Sequence, residues 1–249
     1  ASGLSHADSA RFSFLLATPI IAGAGVLELP RLLHAGAESS ISLATALIAG
    51  AVAAVTSRLT LGTAVCLVAQ HDPLVMAKEV ATLDLISGGR LVLGVGFGWN
   101  REEMENHGVD PRHRRELVRE KMLAMERLWS EEKASFEGEL VRFEECWSWP
   151  KPVQQPRPPV LLGGAAGPTL FAHIAEYGDG WMPIGGAGVG AALPALRRAM
   201  EDAGRDPAAV KVVLIGTIPD PGKLDHYASL GVTEAALRLP SAPADAVLP

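Results

Sequence analysis

KEVATLDLISGGRLVLGVGFGWN, residues 78–100, is the stretch on which the fold turns. Its first half reads as a helix that begins upstream. Asp72-Pro73 sets a capping carboxylate before a proline at the first helical position, so a helix is expected over 73–86. Ser87-Gly88-Gly89 stops it, because glycine accepts the left-handed conformation that closes helices. The run 91–96 is apolar without alternation, as a strand covered on both faces is. A helix, a glycine turn and a covered strand together make the repeating unit of a parallel sheet with crossover helices.

The same rhythm extends outward from that stretch. Strands are expected at 59–66, 91–96, 159–163, 179–182, 210–216 and 234–238. Helices are expected at 73–86, 112–130, 168–176, 190–203 and 222–229. Gly167-Pro168 opens one of these helices and Gly178 closes it. An insert at 134–158 breaks the alternation. FEGELVRF (136–143) reads as a hairpin around Glu137-Gly138, and Pro150, Pro152, Pro156, Pro158 and Pro159 favour an extended connection after it.

Composition bounds the function classes. The chain has 249 residues, 48% of them hydrophobic, and a mean hydropathy of +0.20, which excludes a disordered chain. A net charge of −6 argues against a nucleic-acid surface. Cys66 and Cys146 cannot build a disulfide framework, and no Cys/His group has zinc-ligand spacing. With no basic region at the start to mark a signal peptide, the reducing cytoplasm is the expected location.

The charges are unevenly spread. Residues 1–57 carry five: Asp8, Arg11, Glu28, Arg31 and Glu38. Two apolar stretches, 12–27 and 39–57, fill this part. They read either as two buried helices of an α/β domain or as a membrane-derived hairpin, since a spanning helix needs roughly 20 mostly apolar residues. In a bilayer Glu28, beside Pro30 and Arg31, would sit at the interface. The expected organisation is therefore an apolar helical hairpin over 1–57 and an α/β unit over 58–249.

Ligands of such sheets sit at the carboxyl ends of the strands. Three segments fall there: Thr63-Ala64-Val65-Cys66, then Gly94–Asn100 (GVGFGWN), then Gly163-Gly164-Ala165-Ala166-Gly167. The last enters a helix, where free N–H groups and the helix dipole suit a phosphate; a tight turn needing glycine is the equal alternative. The glycines of 94–98 lack dinucleotide-fingerprint spacing but let a flat group approach the backbone, with Trp99 beside it.

Taken together, LGTAV (61–65), the stretch from His71 to Glu103, PVLLGGAAGP (159–168) and YGDGWMP (177–183) resemble the luciferase-like flavin and deazaflavin oxidoreductases, in particular the subgroup using coenzyme F-420. The resemblance implies a TIM-like (β/α)8 barrel, of which 58–249 would supply strands 3 to 8, an incomplete barrel preceded by the apolar helical segment. It implies hydride transfer between F-420 and a small organic substrate, with FMN-dependent monooxygenation as the alternative. It also implies a bulge with a non-prolyl cis peptide at Ala64–Val65, with Thr63, Ala64 and Val65 supporting the cofactor ring. Gly98, Trp99 and Asn100 would border the ring, the last two on its substrate side. Gly163, Gly164 and Ala165 would offer N–H groups to the phosphate. A homo-oligomer is expected from the family habit and from the open sheet edges.

Residues 1–57, chiefly through 3–29, resemble a fragment of undecaprenyl-diphosphatase that lacks that family's active-site loop, which implies a membrane hairpin without a phosphatase site, although the tail of 39–57 would also suit the second helix and third strand of the luciferase-like family. The chain thus reads as a hybrid, truncated in both parts. Other residues have blander readings available. His71 is a ring or substrate donor, or an ordinary loop residue. Glu102, Glu103 and Glu105 suit the first turns of a short helix, one of them serving otherwise as a proton donor. Arg112, His113, Arg114 and Arg115 read as a solvated helix face before an acidic-tail contact. Cys66 reads as a small buried hydrophobe, and Trp181 as either pocket wall or core.

Overall fold

A computed structural model describes residues 55–238. Within these residues nine strands, six helices and one short turn (Val68–Gln70) follow in order, and all but one hairpin are built around one parallel sheet. The first strand is interrupted: β1 (Leu61–Gly62) and β2 (Cys66–Leu67) both pair with β3 (Leu91–Gly96), in registers Leu61↔Leu91 and Cys66↔Val95. The sheet continues through β6 (Val160–Gly163), β7 (Gly180–Met182), β8 (Lys211–Thr217) and β9 (Glu234–Leu237), each parallel to its neighbour. With β1 and β2 counted as one, this is a curled half-barrel of six strands. It corresponds to strands 3 to 8 of the expected barrel.

The helices return along its outside: α1 (Pro73–Ser87), the short α2 (Arg101–Asn106), α3 (Arg114–Ser130), α4 (Pro168–Tyr177), α5 (Val189–Asp202) and α6 (Pro221–Ser229). The hairpin of β4 (Ala134–Glu137) and β5 (Arg142–Cys146) stands apart from the main sheet.

Local chemistry sets the boundaries. The Asp72 carboxylate accepts from the N–H groups of Leu74 and Val75 at 2.9 and 3.0 Å, and Pro73 occupies the first helical position. Gly88 ends α1 at φ 67°, in the left-handed region, donating to the Asp84 and Leu85 carbonyls. Asp220 caps α6 in the same manner as Asp72 caps α1, accepting from Lys223 N–H at 2.9 Å.

Alternate residues of each strand face opposite layers. Leu91, Leu93, Val95, Val160, Leu162, Trp181, Val212 and Leu214 pack against the helices in the main core. Val92, Leu161, Met182, Val213 and Ile215 form a smaller cluster on the concave side. The expected strands and helices all occur within two residues of their expected ends, with one correction. The strand read as 59–66 is broken at Thr63-Ala64-Val65, for the reason given below.

Among the described residues no helix is long and apolar enough to cross a membrane. The stretches 12–27 and 39–54, Glu28 and the segment resembling undecaprenyl-diphosphatase lie outside the described residues.

Candidate functional site

The break in the first strand is a bulge, and Thr63 makes it possible. Its hydroxyl donates to the Gly94 carbonyl at 2.8 Å and accepts from the Gly94 N–H at 3.0 Å. One side chain thereby satisfies both polar groups of the β3 residue that the bulge leaves without a ladder partner on the side of the first strand. The Ala64–Val65 peptide is cis, as the resemblance implied.

Glycine is required opposite the bulge. A methyl on Gly94 would run into the Thr63 carbonyl, and one on Gly96 would run into the Val65 side chain. A methyl on Gly163 would lie 2.9 Å from the other Val65 methyl group. Val65 therefore spans the concave ends of β3 and β6 and remains partly exposed. Three of the segments named from sequence are brought together here, on adjacent strands.

After β3 the chain turns at Gly98, φ 79°, and presents Trp99 with 89% of its surface exposed. Asn100 sits beside it, but its side chain is engaged as the cap of α2, accepting from the Glu103 N–H at 3.3 Å. The Asn100 carbonyl accepts from the Met104 N–H at 3.2 Å, which leaves its backbone N–H and amide nitrogen for any ligand contact. Glu102 and Glu105 are exposed.

The turn after β6 enters α4 through Gly164, φ 149°, a value glycine favours, and through Gly167-Pro168. The first N–H groups of a helix have no intrahelical partner and carry the positive end of its dipole. Trp181 holds this turn from behind: its indole N–H donates to the Gly164 carbonyl at 2.9 Å, and its ring meets Phe171 edge-on. Trp181 is therefore a core residue that shapes the turn rather than a wall of the pocket. A groove of about 990 Å³ leads away from the turn between α4 and α5, lined by Ala166, Gly167 and Pro168 at one end and Ala203 and Arg205 at the other.

Several residues at this face carried no signal in the sequence reading. Ile184 and Ile218, which follow β7 and β8, are exposed apolar side chains at the same ends of the strands. Lys121 is buried in α3 and donates to the carbonyls of Val68, Ala69 and His71. Its place on the apolar stripe of Val118, Met122 and Met125 was the available signal.

The basic cluster separates. Arg112 is exposed and pairs with Asp110 at 2.7 Å, Arg114 donates to the Pro111 carbonyl, and Arg115 lies 4.7 Å over the Phe97 ring. Phe97 also meets His173, which packs on Tyr177. Burial, reinforced by the Arg115 charge, pushes the His173 imidazole below its ordinary value. Burial raises the Cys66 thiol, in keeping with a small hydrophobe. His71 is exposed, with its backbone fixed by the Lys121 bond and by its own N–H to the Val68 carbonyl at 3.2 Å. Among the described residues no group of His, Cys, Asp and Glu is placed to hold a metal.

Comparison with known proteins gives this architecture its class. Residues 33–218 match the luciferase-like monooxygenase family, and the chain belongs to that family. The match crosses residue 57 without a break, so it gives no support to a junction there.

Among relatives, an uncharacterized protein of Mycobacterium tuberculosis is 45% identical over 197 residues, covering 79% of this chain and 69% of its own. The F-420-dependent glucose-6-phosphate dehydrogenase of Kineococcus radiotolerans is 37% identical over 161 residues, covering 62% of this chain and 47% of its own. Among solved structures, the monooxygenase RslO1 of Streptomyces bottropensis aligns with TM-score 0.61 and 28% identity over 74% of this chain. An F-420-dependent secondary alcohol dehydrogenase bound to an F-420–acetone adduct aligns at 0.59 and 24% identity over 73%. An FMN-bound Baeyer-Villiger monooxygenase from Pseudomonas putida aligns at 0.58 and 20% identity over 69%. The chain spans 58%, 57% and 51% of these three structures.

Proposed function

We propose that the chain is an oxidoreductase that transfers hydride between coenzyme F-420 and a small organic substrate. The observation that carries this reading is the bulge at Thr63–Val65 seated over glycines 94, 96 and 163, one strand away from a glycine turn at a helix N-terminus. Glycines that would clash if they bore a methyl leave a shallow bed for a flat ring, and the turn offers N–H groups to a phosphate. The residues present thus fit a tricyclic, phosphate-bearing cofactor.

When bound, F-420 supplies hydride at its C5 carbon. The protein's part is position. Ala64 and Val65 would support the ring, Gly163, Gly164 and Ala165 would offer backbone N–H groups to the phosphate, and Gly98, Trp99 and the Asn100 N–H would border the ring on the side open to substrate. The exposed apolar side chains Trp99, Val65, Ile184 and Ile218 would cover a bound ring and reduce its contact with water. Two further parts of the reading are a cytoplasmic location, from the two unpaired cysteines, and a homo-oligomer, since β1 and β9 each leave one side unpaired among the described residues.

An FMN-dependent monooxygenase is the second reading. The 28% identity to the monooxygenase RslO1 favours its monooxygenase part. Fluorescence titration of detergent-free protein with F-420, and in parallel with FMN, separates the two. Saturable binding of F-420 at micromolar concentration is expected. Tighter binding of FMN selects the second reading, and failure to bind either removes both.

A further inference from the structure

The sheet's first strand is fixed on the near side of its bulge by the Thr63 hydroxyl. Something must fix the far side as well, because β2 is only two residues long and leads at once into the turn Val68–Gln70. The carbonyls of Val68, Ala69 and His71 converge there on one point. Lys121 Nζ occupies it, at 3.5, 2.7 and 2.6 Å.

An ammonium has three donors and here meets three acceptors. Among the described residues no ion pair holds it. The Asp72 carboxylate favours the charge from nearby while its oxygen caps α1. Burial lowers the pKa of Lys121, so the position is costly for a charge, and the three carbonyls and the nearby Asp72 carboxylate offset it. An apolar side chain of similar length would fill the space but strip the Ala69 and His71 carbonyls of the Lys121 donor, while Val68 would keep only the His71 N–H.

We propose that Lys121 is a positioning residue: by gathering the carbonyls of Val68, Ala69 and His71 it sets where the bulge at 63–65 lies under the cofactor ring. It also fixes the backbone from which His71 projects at the same face. The proposal rests on the cofactor reading above, and its test is built so that the two can fail separately. Lys121 touches no ligand itself; it acts from helix α3 through the turn.

The test compares wild type with Lys121→Met. In cofactor-free protein, amide hydrogen exchange over 62–71 is expected to rise while exchange in the β4–β5 hairpin and in α4 stays unchanged. The dissociation constant for F-420, or for FMN if that binds instead, is expected to rise about tenfold, the scale of one lost positioning contact. A general stability loss predicts a uniform rise in exchange and an unchanged constant for the folded fraction, and that result overturns the proposal. Should Lys121→Met fail to fold, Lys121→Gln carries the test. Its side chain is shorter by about one bond and uncharged, so it cannot reach the point where the carbonyls converge, and local exchange and the constant both still rise; wild-type values in both overturn the proposal. If wild type binds neither cofactor, the functional reading falls. The exchange pattern over 62–71 still decides whether Lys121 holds the bulge.

Discussion

The two ends of the sheet are built on opposite terms. At the amino ends of the strands, polar groups are buried and matched. Asp84 accepts from the Gln154 N–H and side-chain amide at 2.9 and 2.7 Å, and that amide also donates to the Leu91 carbonyl. Arg157 pairs with Asp179, which in turn accepts from the Val160 N–H, while Arg205 donates to the Ile174, Ala175 and Gly178 carbonyls where α4 ends. At the carboxyl ends the sheet shows glycines, a broken strand and bare apolar side chains, with Trp99 and Ile184 about nine-tenths exposed. One end ties the half-barrel together; the other is exposed and is the end proposed to take the cofactor. This division predicts that substitutions at the two ends separate stability from binding.

The largest effect on stability belongs at the amino ends. Asp84→Ala removes a buried carboxylate and strips the half-buried Gln154 of its acceptor, and should cost about 2 kcal/mol, read by urea unfolding. The folded fraction should keep its cofactor affinity, and a parallel loss of affinity would break the division.

Gly94→Ala tests the point where the two ends meet. Its methyl would displace the Thr63 carbonyl and with it the bulge, so cofactor affinity should fall about a hundredfold, the scale of a misplaced site. A crystal structure with the bulge unmoved would count against the assignment of ring support. Ala165→Asp acts at the open end alone. A carboxylate beside the helix N-terminus should weaken cofactor binding about tenfold, with stability within about 0.5 kcal/mol of wild type. Equal binding in titration would remove the phosphate from this turn.

The smallest effect is a matter of pH. Buried His173 has a folded pKa below its ordinary 6.5, so its stabilising neutral form is fully present above that pH. The contribution is lost as pH falls from 6.5 toward the folded value. His173→Phe should flatten the dependence of the melting temperature over that window.

Much of this was legible in the residues. Apolar runs bounded by Gly88-Gly89, Gly167-Pro168 and Gly178 marked the strands and helices because glycine and proline restrict backbone conformation directly. The glycine turn at 163–167 was legible for the same reason. The break at 63–65 was not, because TLGTAVC reads as one apolar strand, and the exchange of a ladder partner for a hydroxyl leaves no periodic trace. The direction of Trp181 was also hidden, since strands covered on both faces show no alternation to orient them. Asn100 carried an unused signal: an Asn followed three residues later by Glu103 has the pattern of a helix cap. The bulge itself was reached by resemblance, not by pattern.

The bond from the Trp181 indole to the Gly164 carbonyl bears on the speed of recognition. The turn proposed to hold the phosphate is fixed from the core and has little freedom left to lose when an anion arrives. The entropy of ordering that loop was spent when the chain folded, so capture need not wait for the loop to form. Differences in affinity among phosphate-bearing ligands should then appear chiefly in how slowly each one departs.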